Sequence, residues 1–94
     1  MKLFEELRDD ANREQIALMF ADAEIASTNL DLALHTDTAA VKTRQIEEAD
    51  QMCTFIRERI PVVSLTPDEG EALDAKLAQL EQKLTLLERR RIQS

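Results

Sequence analysis

The sequence predicts an all-α fold: an antiparallel bundle of three long helices. Three observations carry that expectation. One glycine and two prolines in 94 residues fall far below average usage, which disfavours a turn-rich β fold and disorder alike. Alanine, leucine, glutamate, glutamine and arginine dominate the chain, and these are strong helix formers. Apolar residues recur at steps of three and four in three segments, separated by two short punctuated joints. The helices are expected over about residues 10–34, 37–59 and 67–91, in a single domain spanning 1–94, with residues 60–66 as an apolar connector. A chain of this length buries only about 60–65% of its unfolded surface. That suffices for one core and leaves little for a deep catalytic cleft.

The first helix has an open start. LFEEL (Leu3 to Leu7) is helix-compatible, and Asp9, Asp10 or Asn12 can act as a cap. With no glycine or proline between Lys2 and Leu34, a continuous helix from about Lys2 is preferred over a short docked turn. Projected at 100° per residue, this helix carries two apolar stripes. Ile16, Met19, Phe20, Ala23, Ala26, Leu30 and Leu34 form one; Leu18, Ala21, Ile25 and Leu32 form the other, roughly opposite. A helix that is apolar on two sides must be covered on two sides or expose a patch. The second stripe is therefore the candidate interaction surface: Leu18, Ile25 and Leu32, joined by Phe55 at the edge of the second helix's apolar face. The competing expectation is that LFEEL or VVSL folds over the stripe, and the sequence alone leaves both open.

The second helix follows the joint HTDT, where Thr36 or Asp37 can cap by accepting a backbone N–H bond. His35 sits where a cation suits the C-terminal end of the first helix dipole. Val41, Ile46, Ala49, Met52, Cys53, Ile56 and Ile60 share one side of the second helix; Thr43, Glu47, Asp50, Thr54 and Glu58 lie opposite. Proline disfavours helix at the residue before it, so Pro61 ends this helix near Arg59 or Ile60.

The third helix opens in VVSLTPDEGEAL. TPDE fits a capping box: Thr66 accepts from the N–H of Glu69, and Glu69 reaches back to the N–H of Thr66. Pro67 takes the first helical position, where a missing N–H costs nothing. The acids Asp68, Glu69 and Glu71 then favour the helix dipole, and the stretch lacks the alternating ligands and distal glutamate of a calcium loop. Gly70 is unexpected four residues into a helix, where it costs up to about 1 kcal/mol relative to alanine. Its presence predicts that Val62 or Val63 packs closely against it, in a buried connector. Leu73, Leu77, Leu80, Leu84 and Leu87 then form a narrow leucine seam.

The remaining chemistry is sparse. The net charge of −7 is concentrated early: three basic and eight acidic residues precede Asp37. An acidic body repels nucleic acid and anionic membrane, so neither is an expected partner. A lone cysteine, Cys53, cannot form an internal disulfide. No apolar run fits a signal peptide or a membrane span, and the chain reads as cytoplasmic. His35 and Cys53 stand about 27 Å apart along the helix, which disfavours a catalytic pair. No metal-ligand spacing is present, no cofactor is implied, and one glycine excludes most nucleotide-binding loops. The three arginines Arg89 to Arg91 fall in a last helical turn, where they complement the dipole. No aromatic residue accompanies them for base stacking.

The run ALMFADAEIASTNLDLALHTDTAAVKTRQIEEADQMCTFI joins two amphipathic helices through a very short turn. It resembles the helical hairpins of tetratricopeptide-like and MIT-like (microtubule-interacting and trafficking) domains, and the likeness extends over about Ala17 to Leu87. The resemblance implies close antiparallel helices with Ala23, Ala26, Ala33, Ala39 and Ala49 at their contacts. It also implies a third helix and grooves that accept a partner's helix. With the second stripe Leu18, Ile25 and Leu32 as the candidate surface, the function expected is a non-enzymatic interaction module that self-associates. The alternative is an adaptor or regulatory subunit that binds an amphipathic helix of a partner protein.

Overall fold

The computed structural model describes residues 2–93, with side chains described for residues 9–89. Three helices make up the fold: α1 (Lys2–His35), α2 (Ala39–Arg59) and α3 (Pro67–Gln93). No strand occurs among the described residues. The all-α three-helix bundle expected from the sequence is what the chain forms, with α1 as its centre. α1 packs against both α2 and α3, whereas α2 and α3 touch each other least.

α1 is one continuous helix of 34 residues, so the LFEEL segment belongs to it and is not a separate docked turn. The side chains of Leu3, Phe4 and Leu7, expected to be helical or docked, lie outside those described. The physical reason for continuity is the absence of any breaker: no residue of the segment lacks an N–H or requires a left-handed backbone. At the far end, the N–H of Thr36 donates to the carbonyl of Leu32 at 3.0 Å. His35 Nδ1 lies 2.7 Å from the carbonyl of Asp31, so Nδ1 carries the proton and satisfies one of the helix's last acceptors.

α2 starts two residues later than expected, and neither Thr36 nor Asp37 is its cap. Thr38 holds that position with extended backbone (φ −85, ψ 114) and makes no side-chain cap bond. The Thr36 hydroxyl is used instead in the joint, accepting from the N–H of Thr38 at 3.3 Å. This local turn competes with capping for the same oxygen. At its other end α2 stops at Arg59, but Ile60 keeps a helical backbone despite Pro61. The turn closes with the N–H groups of Val62 and Val63 both donating to the carbonyl of Arg59.

The capping box of α3 forms as expected. Glu69 N–H donates to Thr66 Oγ1 at 3.2 Å, and Thr66 N–H donates to Glu69 Oε1 at 3.0 Å. The account of Gly70 is overturned: a Cβ built there meets no neighbouring atom within 4 Å. Val62 and Val63 do not press on it. The connector is buried only in part, because Val63 and Leu65 pack on the core while Val62 is 68% exposed.

What holds the connector is a contact the sequence did not suggest. Ser64 N–H donates to Asn12 Oδ1 at 2.8 Å, and Asn12 Nδ2 donates to the Ser64 carbonyl at 3.1 Å. This two-way bond fixes the register of α3 on α1. Asn12 with Ser64, Glu24 with Lys76 and Asp31 with Lys83 are all partners 52 residues apart. α3 therefore runs parallel to α1 in constant register, and α2 runs antiparallel between the two in chain order.

The register also explains the shape. His35, the end of α1, lies level with Leu87, so six residues of α3 continue past it, about 9 Å at 1.5 Å per residue. α1 itself spans about 51 Å, and the sum matches the 60 Å long axis of a 60 × 22 × 17 Å rod. The radius of gyration, 16.0 Å, exceeds the roughly 12 Å of a compact domain of this length.

The core follows the predicted stripes. Met19, Ala23, Ala26, Leu30 and Ala33 of α1 meet Ile46, Ala49, Cys53 and Ile56 of α2, and Leu73, Leu77, Leu80 and Leu87 of α3. The buried alanines let α1 and α2 approach closely. Ala39 takes no part, because it is exposed at the start of α2. Val41, expected on the buried side, is exposed as well.

Candidate interaction surface

The site is built from one helix. In α1 the buried residues Met19, Ala23, Ala26, Leu30 and Ala33 define the inward direction. At 100° per residue, Leu18, Ala21, Ile25, Thr28 and Leu32 point the other way. All five are exposed, and the three large ones remain 52%, 47% and 52% exposed. Neither proposed cover reaches them: LFEEL is taken up in the straight run of α1, and VVSL is tied to Asn12 at one end of the bundle. Leu18, Ile25 and Leu32 thus form an apolar row at steps of seven, with Ala21 and Thr28 as a second, smaller row between them.

The two flanks of this row differ. On the α3 side, Glu24 is ion-paired with Lys76. Asp31 pairs with Lys83 at 2.8 Å, and Lys83 also donates to Ser27 Oγ at 3.0 Å. The two acids on this side of the row are therefore neutralised within the chain. Each pair is partly exposed and worth only about 0–1 kcal/mol to stability, but each removes a negative charge from the edge of an apolar surface.

On the α2 side, Phe55 is half-buried, with the Arg59 guanidinium 5.0 Å above its ring. This cation–π contact holds the aromatic edge in place. Gln15, Leu18, Met19, Phe55 and Arg59 surround a hollow of about 250 Å³. A second hollow of about 230 Å³ follows beside it, lined by Asp22, Glu48, Gln51, Met52 and Phe55. Leu18 and Phe55 meet at the first hollow; Ile25 and Leu32 continue away from it along α1. The four candidate residues lie on one side of the rod, with Phe55 at its edge.

The other chemical candidates are separated by the fold. Cys53 is fully buried in the core. Burial pushes its thiol up from the ordinary value, with Asp50 and Glu81 adding to the rise and Arg57 opposing it. A nucleophile needs the reverse shift. His35 is exposed at the α1–α2 joint, engaged with the Asp31 carbonyl. Among the described residues no three His, Cys, Asp or Glu side chains gather as a metal site. No helix among the described residues is long and apolar enough to cross a membrane.

Sequence reasoning missed the lysines that flank the row. Their signal was present: Glu24 and Asp31 are seven apart, as are Lys76 and Lys83, which is the spacing of two helices packed in parallel register. No family model, curated protein or solved structure matches the chain.

Proposed function

We propose that this protein is a non-enzymatic interaction module that self-associates through the outward row of α1, Leu18, Ile25 and Leu32, with Phe55 at its edge. The observation that carries the reading is the half-exposed state of three large apolar residues, seven apart on the longest helix, with none of the described segments over them. The neutralised acids Glu24 and Asp31 support it, since an unpaired carboxylate would be costly at the edge of a desolvated contact. A protein contact suits a flat apolar row of this kind; a small-molecule site would call for a concave pocket.

The magnitude is modest. Burying such a side chain fully is worth about 1.5–3 kcal/mol, and about half remains to be gained at each residue. Two copies together gain about 4–9 kcal/mol from these residues, against an association cost of about 4–15 kcal/mol. At the favourable ends of these ranges these residues leave about 5 kcal/mol, a dissociation constant of about 0.2 mM, so the dimer is expected to be weak.

Light scattering coupled to size exclusion tests the proposal. The chain should show concentration-dependent mass that approaches a dimer at high micromolar concentration. Ile25→Glu, at a position that contacts nothing essential in the core, should remain helical and become monomeric. A strict monomer, unaltered by Ile25→Glu, would overturn self-association. If that monomer then bound an amphipathic helical peptide on the same row, the adaptor reading would take its place.

A further inference from the structure

The exposed face of α1 is built of two unequal rows, and their inequality carries information about how a second copy can sit on it. Along the face the chain steps through Glu14, Leu18, Ala21, Ile25, Thr28 and Leu32, at intervals of four and three, all exposed. One row (Leu18, Ile25, Leu32) is large. The other (Glu14, Ala21, Thr28) is small or charged. We propose, resting on the self-association just described, that two copies pair through α1 in antiparallel orientation. The large row of each then faces the small row of the other.

A parallel, in-register pair would place every residue against its own copy. Leu18 would meet Leu18 and Ile25 would meet Ile25, while Ala21 against Ala21 and Thr28 against Thr28 would leave gaps between them. Facing surfaces pack to native density when large positions meet small ones. A parallel pair would also bring Glu14 against Glu14 within the contact row, and like charges at such spacing repel. The whole acidic end of α1 would be doubled with it. Lys2 to Glu14 holds three basic and five acidic residues, so each copy contributes −2 at that end.

Reversing one copy removes both defects. Leu18 and Ile25 enter the spaces beside Ala21 and Thr28 of the second copy, and Glu14 moves opposite a large apolar residue at the end of the contact. There its carboxylate can turn to water. The acidic end of each copy comes to lie toward the other end of its partner. That end carries Arg89 and the basic turn of α3, where three arginines stand against one glutamate between Glu88 and Gln93. Area favours a lengthwise pairing in either sense. A standard interface takes about 800 Å² from each partner, and the total surface is 6870 Å², so a contact at one tip of the rod falls short.

The two orientations differ most at the ends of the rod, where labels avoid the contact itself. Asp37 is exposed in the α1–α2 joint and Asp9 is exposed near the other end of α1. Asp37→Cys carrying a spin label, measured at high micromolar concentration, should give an intermolecular distance above about 30 Å, from at least 20 residues of offset at 1.5 Å each. Mixing it with labelled Asp9→Cys should then create a new short-distance population. Cys53 is buried, and the unmodified chain serves as the control that it takes up no label. A short Asp37–Asp37 distance, under about 20 Å as expected for helices 8–10 Å apart, would overturn the antiparallel arrangement and leave self-association standing. Absence of any intermolecular coupling would overturn both.

Discussion

Replacing Gly70 with alanine should stabilise the protein. Gly70 is the fourth residue of α3, and its N–H already donates to the Thr66 carbonyl at 2.9 Å, so it is part of the helical ladder. No glycine here has positive φ, and a Cβ would meet nothing within 4 Å. The substitution therefore brings no clash and no backbone strain. The gain has two sources: the propensity difference, up to about 1 kcal/mol in a helix interior, and reduced freedom of the unfolded chain, about 0.4–1 kcal/mol at compatible sites. These overlap, and position near the helix start trims the first, so about 0.5–1 kcal/mol is expected. For a domain of this size that raises Tm by roughly 2–8 °C. Thermal unfolding followed by circular dichroism, at matched protein concentration because association contributes to Tm, reads the shift. A destabilised variant would refute the reasoning and restore a close-packing role at Gly70.

Three further outcomes follow from the contacts around that helix start and the core. Thr66→Ala removes the hydroxyl that caps Glu69 N–H and should cost about 0.5–2 kcal/mol in urea unfolding; Glu69→Gln, which can still reach back to Thr66 N–H, should cost less. Asn12→Ala breaks both bonds to Ser64 and should cost about 1–3 kcal/mol, at about 0.5–1.5 kcal/mol per bond. Hydrogen exchange at the Ser64 amide should accelerate while the centre of α1 stays protected. Cys53 has a folded pKa raised by burial from the ordinary 9.0. Its contribution is complete below 9.0 and is lost as pH rises toward the folded value, because only the unfolded thiol ionises readily there. Cys53→Ala should therefore unfold more easily overall yet show a shallower loss of stability on the alkaline side than the unmodified chain.

Much of the architecture was legible because it rests on periodicity. The leucines of α3 at steps of four and three, and the alanines of α1 on one face, specify which sides are buried before any contact is known. The second stripe of α1 was legible for the same reason, and its exposure could be posed as a question from Leu18, Ile25 and Leu32 alone. The answer needed the fold, since whether LFEEL or VVSL covers the stripe depends on where distant segments lie. Thr38 as the start of α2 was not legible, because Thr36, Asp37 and Thr38 all suit the position and a local hydroxyl bond decided among them. Asn12 and Ser64 were missed because a polar pair 52 residues apart leaves no periodic trace. Gly70 misled because a glycine in a helix usually marks a close approach, and here the space beside it is open.

The central claim is that α1's outward row is where a second copy binds. Sedimentation equilibrium of the unmodified chain and of Ile25→Glu, from low to high micromolar concentration, tests it most directly. The unmodified chain should show a monomer–dimer equilibrium, and Ile25→Glu a monomer of unchanged helicity. Equal masses for the two at every concentration, whether monomer or oligomer, would contradict it.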